Sequence, residues 1–370
     1  KMSDINVVDI DVYSAFYLSG KGVNSNEGNV GSTLRGYASN GNSISTYVSR
    51  ISYAGAIAGY VDIYDSLNAE TVLFSSSLEV SDYDIVTVHV SDSVNIYGEV
   101  AGGLFGYVGN STMVYDATLE LDADMNLSKP SYIISKNLFA GGLIGENYGG
   151  LFAVSASYAS ELQNTIEEAE NGYYSGNTAA ERGQQSIFSY TPSDEGYASN
   201  INNPLYIGGL VGYMGGGYIY IGYSKLNVIS HSDFTLAVGG IIGLAGYKDT
   251  QYDLTFLDPV QKVNVYLNDV YASGDVYIDS TTGNGYSAGI IGALERTSDG
   301  HISVVALKNV LAVNYYSYNG SKLVGDRTAS TEDEGGYVSD RHFMLVGKVV
   351  SSVNNNIDND DVVFGTSLYL

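Results

Sequence analysis

Tyrosine is the side chain this sequence offers most freely to a ligand: 34 Tyr stand against 10 Phe and no Trp. A core that needed only apolar bulk would use Phe, so the excess points to rings whose faces cover something apolar while their hydroxyls meet water or a polar partner. Three clusters stand out: Tyr218, Tyr220 and Tyr223 in the run from Gly217 to Tyr223; Tyr315, Tyr316 and Tyr318; and Tyr173 with Tyr174. In the first, period-two alternation turns Ile219 and Ile221 inward and leaves Tyr218 and Tyr220 on the outer face. Rings repeated on successive strands make a flat amphipathic strip that suits the C–H faces of a sugar polymer. The alternative at every cluster is a ladder of outward tyrosines that only stiffens its sheet.

Other chemistry has fewer supports. The four histidines, His89, His231, His301 and His342, are scattered with no metal-ligand spacing, and nothing local assembles a Ser-His-Asp arrangement. Two acidic groups, Asp122 with Asp124 and Asp358 with Asp360 and Asp361, are candidates for calcium, either structural or as the cofactor of a polysaccharide lyase. Neither has an Arg close by to act as base, and neither fits a twelve-residue calcium loop or a calcium-binding nonapeptide. Asp358, Asp360 and Asp361 are therefore weak metal candidates, with an exposed acidic loop as the plainer reading. The expectation is a protein without catalytic residues and without a cofactor, a structural calcium aside.

The 370 residues carry 16 Lys and Arg against 41 Asp and Glu, a net charge of −25. Nucleic acid and anionic membranes are poor partners for such a surface, because their binding rests on clustered cations. No apolar run reaches the roughly 18 residues that span a bilayer, so membrane insertion is not expected. With no Cys there are neither disulfides nor thiolate metal sites. The chain opens Lys1-Met2-Ser3-Asp4 without the layout of a signal peptide, which suits either a cytosolic protein or a piece of a longer secreted one; its close on an apolar, strand-like run at Leu370 favours the piece.

The elements that would hold the tyrosines are announced by an internal repeat. A cassette of a small residue and Gly, then two mostly aliphatic residues and Gly, ends at Gly59, Gly106, Gly145, Gly212, Gly243 and Gly292; Ala140-Gly141-Gly142-Leu143-Ile144-Gly145 is typical. Lys322 to Gly325 and Met344 to Gly347 read as decayed copies. Successive gaps of 47, 39, 67, 31 and 49 residues are too uneven for propeller blades and fit stacked coils with insertions of different length. Glycine lets the chain turn sharply, or lets one coil approach the next, while the aliphatic pair feeds a stacked core. Between cassettes lie strand-like runs such as Val86 to Val90, Ala272 to Asp279 and Ile302 to Val305, with Asn-Gly turns at Asn40, Asn171, Asn284 and Asn319. No Gly-Lys-Ser or Gly-Lys-Thr follows any cassette, which argues against a nucleotide loop. The expected fold is all-β: a single-stranded, right-handed parallel β-helix or β-solenoid forming one domain over 1–370. A mid-chain loop insertion at about 155–204, with a short helix from Ser160 to Ala169, packs on its flank.

The run Ala140 to Gly150 resembles the GLUG repeat of bacterial surface adhesins and secreted peptidases. The six copies, the many tyrosines, the absent cysteine and the long insertion together resemble the C-terminal domain of the tapirins, cellulose-binding adhesins of plant-degrading bacteria. That resemblance implies a β-helix whose flank is covered by a long loop, attached to crystalline cellulose without hydrolysing it. The expectation is an extracellular adhesin domain on a bacterial cell surface, whose partner is an insoluble plant polysaccharide, cellulose. Two other readings stay open: a structural stalk or self-associating surface protein, and a calcium-dependent polysaccharide lyase.

Overall fold

Every cassette turns out to be a corner. The final small residue and Gly close one strand, two residues turn, and the last aliphatic residue and Gly open another: Ile85–Gly102 passes into Phe105–Val108, Ser131–Gly141 into Ile144–Asn147, and Leu205–Gly208 into Val211–Met214. Cassettes Ala54 to Gly59, Val238 to Gly243 and Ser287 to Gly292 do the same. The corners stack in register, with the amide of Ile57 donating to the Leu104 carbonyl, Leu104 to Leu143, Leu143 to Leu210, Leu210 to Ile241 and Ile241 to Ile290. A Cβ placed on Gly102, Gly141, Gly208 or Gly239 would lie 2.6 Å from the amide nitrogen of the last glycine in the following cassette. Backbone crosses backbone there, so the repeat spacing of glycine is a packing requirement rather than a flexible hinge.

This computed structural model describes residues 1–13, 33–37, 43–49, 53–63, 79, 82–121, 131–158, 185–189, 205–230, 235–247, 252–254, 261–278, 286–296, 301, 303, 305–318, 321–323, 342–343, 346–351 and 368–369. Among them there is no α-helix. The protein is all-β and almost wholly parallel.

The short strands that leave the corners form a seven-stranded parallel sheet running from Ala58–Val61 to Val346–Ser351. The longer strands form a second parallel sheet in which each pass of the chain bonds to the pass before it and the pass after it. Met113–Leu121, Gly150–Tyr158, Gly217–Ser224, Val265–Ile278 and Val305–Tyr318 follow one another in this way. Between the two sheets lies one continuous core, in which the corner residues Leu104, Leu143, Leu210, Ile241 and Ile290 and the strand residues Leu151, Ile219 and Leu267 are buried. The aliphatic pair of the repeat and the inward positions of the long strands thus serve the same core.

The ends of the pattern sharpen the repeat. His342 pairs with Ser287, Phe343 with Ala288 and Val346 with Ile291, so the strands on either side of Met344-Leu345 keep the register of a seventh cassette, those two residues themselves lying outside the described ones. Ser321–Leu323 instead pairs antiparallel with Val305–Tyr318, and Lys322 to Gly325 is no cassette. The partners Tyr318 and Ser321 flank Asn319-Gly320, where a two-residue turn was expected. The other three Asn-Gly pairs lie outside the described residues.

Ser155 to Tyr158, the start of the expected insertion, complete the strand Gly150–Tyr158. Gln185–Ser189, in its middle, is a strand between Ser131–Gly141 and Asn227–Ser230. The remainder of 155–204, including the expected helix, lies outside the described residues.

One irregularity of the long strands matters for the outer face. Asp4, Thr87, Asp116, Ala153, Ile221, Asp269 and Asn309 all have positive φ, between 51° and 61°. The strand registers place them side by side, one per pass. Each therefore makes a left-handed step that puts two consecutive residues on the outer face before alternation resumes.

Candidate functional site

That left-handed column rewrites the alternation in the strand Gly217–Ser224. Ile219 is buried in the core as expected, but Ile221 is turned outward and is 52% exposed. Tyr220 and Tyr223 stand beside it at 38% and 39% exposure. In the next two passes Tyr223 is in register with Tyr271, and Tyr271 with Leu311, which is 50% exposed. These five side chains form an apolar patch on the outer face of the long sheet. The Lys225 ammonium lies 5.7 Å from the Tyr223 ring at its margin, a weak cation–π contact.

Tyr218 corrects the expectation in another way. It does not belong to the inner core, yet it is fully buried, in a separate apolar cluster with Tyr83, Met113, Phe152, Val263, Tyr266 and Ala306. Its ring lies across Gly150 of the preceding pass, whose missing side chain leaves the room, and meets Phe152 edge-on at 5.1 Å. Burial of this cluster pushes the Tyr266 hydroxyl up to about 12. Tyr218 is thus packed inside the sheet's outer layer rather than open to solvent.

The remaining candidates divide by position. Tyr315, Tyr316 and Tyr318 fall on the strand Val305–Tyr318, in register with Asp275, Val276 and Ile278; their side chains lie outside the described residues. Tyr173, Tyr174, Asp122, Asp124, Asp358, Asp360, Asp361 and His231 also lie outside them. His89 forms a 2.6 Å hydrogen bond with the Thr118 hydroxyl and sits 3.8 Å from the Glu120 carboxylate, while His301 stacks on Tyr247 at 5.3 Å.

A second aromatic cluster escaped the sequence reading. The residue after the last glycine of each cassette points outward from the short sheet, giving the column Tyr60, Tyr107, Glu146, Tyr213, Leu244 and Ala293. It meets Tyr53 and Phe139 from the strands that lead into the corners. Tyr60 and Tyr107 stack face to face at 4.3 Å, Phe139 and Tyr213 at 4.8 Å, and Tyr53 meets Tyr107 edge-on at 5.5 Å. Glu146, buried among them, accepts hydrogen bonds from the Tyr148 hydroxyl at 2.8 Å and the Tyr53 hydroxyl at 3.2 Å. Glu295 accepts from the Tyr213 hydroxyl at 2.8 Å and the Tyr247 amide at 3.0 Å.

Burial raises the Glu146 pKa, and the two hydroxyl donors offset part of the rise. The Tyr148 and Tyr213 hydroxyls are pushed up as well, first by burial and then by the nearby carboxylates. Most ring faces here are spent on each other, although Tyr60 at the end of the column stays 56% exposed, and the Tyr53, Tyr148 and Tyr213 hydroxyls are spent on carboxylates. The column clips successive passes together. The signal that would have found it is simple: the repeat extends one residue beyond its last glycine.

No protein-family model and no curated protein matches this chain. What the outer face can hold is therefore read from its geometry. Rings left open on a parallel sheet, beside an exposed Ile and Leu, offer area and little directional polarity. An exposed apolar patch of this kind is a candidate contact surface.

Proposed function

We propose that this chain is a non-catalytic adhesin domain that attaches to insoluble plant polysaccharide, cellulose foremost, through tyrosines on the outer face of a right-handed β-solenoid. The observation that carries the reading is the open patch of Tyr220, Ile221, Tyr223, Tyr271 and Leu311. An apolar patch on a soluble chain marks a contact surface, and tyrosine rings present an apolar face with a polar edge, the amphipathic character of a pyranose ring. The net charge of −25 favours a neutral polymer over an acidic one. The right hand is the one that nearly all parallel crossovers take.

The cassette's likeness to GLUG repeats and to the tapirin domain supports the same reading and adds secretion and display on a bacterial surface. It is tested by depletion of the purified chain on microcrystalline cellulose, xylan and chitin, with soluble sugars assayed in the supernatant. Saturable depletion on cellulose without sugar release is the expected result. No depletion on any of the three overturns the reading, and calcium-dependent release of unsaturated sugars replaces it with a lyase.

A further inference from the structure

Ile221 occupies a position that works against the fold. It has φ +61°, the left-handed region that a β-branched side chain adopts only under strain, and it holds its aliphatic side chain half in water. Its column shows what the position ordinarily takes. Asp4, Thr87, Asp116, Asp269 and Asn309 fill it in other passes, and Asp and Asn tolerate the left-handed conformation best. Those polar residues also repay the step with hydrogen bonds along the column: the Thr87 hydroxyl donates to Asp116 at 3.0 Å, and the Asn309 amide to Asp269 at 2.8 Å. Ile221 can form none. Ala153, in the preceding pass, is the other residue of the column without a polar side chain.

We propose that Ile221 is a ligand-contacting residue. Together with Ala153 it opens an uncharged window in an otherwise acidic and amide-bearing column, through which the apolar face of a neutral glucan comes down onto Tyr220 and Tyr223. An Asp or Asn at 221 would relieve the strain and would place a hydrated group between the two open tyrosines. The residue is costly to the fold and useful to the contact, the pattern of strain stored at a binding surface. The window also gives the face a selectivity. Asp116 on one side and Asp269 on the other turn away uronate-bearing chains, while the gap between them admits an unsubstituted polymer.

This inference rests on the reading of the long-sheet face as a polysaccharide surface, and its experiment separates the two. Wild type, Ile221→Asn, Ile221→Leu and Thr87→Asn are compared by thermal melting and by binding isotherms on microcrystalline cellulose. Ile221→Asn is expected to melt about 2 °C higher. It should bind about five- to tenfold more weakly, as loss of a partly covered aliphatic side chain implies. Ile221→Leu, apolar in the same place, should bind within about twofold of wild type, and Thr87→Asn, in the same column three passes away, should bind unchanged. If Ile221→Asn binds like wild type, or if Thr87→Asn weakens binding equally, the inference falls while the adhesin reading stands. A lower melting point for Ile221→Asn removes the strain on which the inference is built. Wild type that binds no cellulose refutes the adhesin reading itself.

Discussion

Replacing Tyr220 and Tyr223 with Ala should weaken binding, whereas replacing Tyr218 should weaken the fold and leave binding intact. A tyrosine side chain offers about 150–250 Å² in all. At 38% and 39% exposure, Tyr220 and Tyr223 each have roughly 80 Å² of side chain left for a ligand, worth at most about 2 kcal/mol at about 25 cal/mol per Å². A polymer lying on a sheet covers about half of that, which leaves about 1 kcal/mol each, or about fivefold in affinity. The double variant should then bind about 25-fold more weakly, if the two rings act independently. Both rings are also partly covered, Tyr220 lying 6.2 Å from the Phe152 ring, so each truncation costs the fold about 1–2 kcal/mol. Tyr218→Ala would instead empty a space lined by Phe152, Tyr266 and Met113, at about 3–5 kcal/mol. Binding isotherms on cellulose and denaturant melts of wild type, the two single variants, the double variant and Tyr218→Ala give both quantities. The reasoning is refuted if Tyr218→Ala weakens binding while leaving the melt unchanged, or if the double variant binds as wild type does.

Two further outcomes test the fold that holds the patch. Gly212→Ala should destabilise by about 3 kcal/mol, because its Cβ would lie 2.7–2.9 Å from backbone atoms of Gly145 and Ala140 that have nowhere to go. Gly222→Ala, whose Cβ would lie 2.6 Å from the Cγ2 methyl of buried Ile219 and 3.4–3.6 Å from Leu210 and Val154, meets side chains that can shift and should cost about 1–2 kcal/mol; equal denaturation midpoints for the two would refute the backbone-crossing account. Glu146 binds its proton more tightly in the fold than in the unfolded chain, so its contribution to stability is present below the ordinary carboxyl value of 4.5 and is lost as pH rises through its folded-state pKa. Glu146→Gln stays neutral throughout, so it should gain on wild type between pH 4.5 and neutrality; parallel pH–stability curves for the two proteins would count against the buried carboxylate.

The cassette was legible because its cause is local and repeated. Glycine appears wherever backbone must cross backbone, an aliphatic residue wherever the corner faces the core, and both demands recur at every turn of the chain. The strands that flank Met344-Leu345 keep the register of Ser287, Ala288 and Ile291, although the sequence there kept only the last three residues of the cassette. Lys322 to Gly325 resembles a cassette equally well in sequence. Its neighbour Ser321–Leu323 folds back antiparallel, and that choice depends on a partner strand which no local pattern reveals.

The outer face was half legible, and the reason is one dihedral angle. Alternation reads every second residue as outward, but a left-handed step inserts an extra outward residue, and at Ile221 nothing in the side chain announces it. Asp4, Asp116, Asp269 and Asn309 could have done so, being residues that accept positive φ, had their strands been aligned before their faces were assigned. Tyr218 failed for a different reason. Its direction followed from alternation, whereas its burial depends on Gly150 in the pass before and Tyr266 in the pass after. Exposure on a stacked sheet is set by three strands at once, so a tyrosine cluster read along one strand can name the face but cannot say which of its rings a ligand will meet. The register of neighbouring strands decides which rings stay exposed, and in the strand Gly217–Ser224 it buries Tyr218 and leaves Tyr220 and Tyr223 half open.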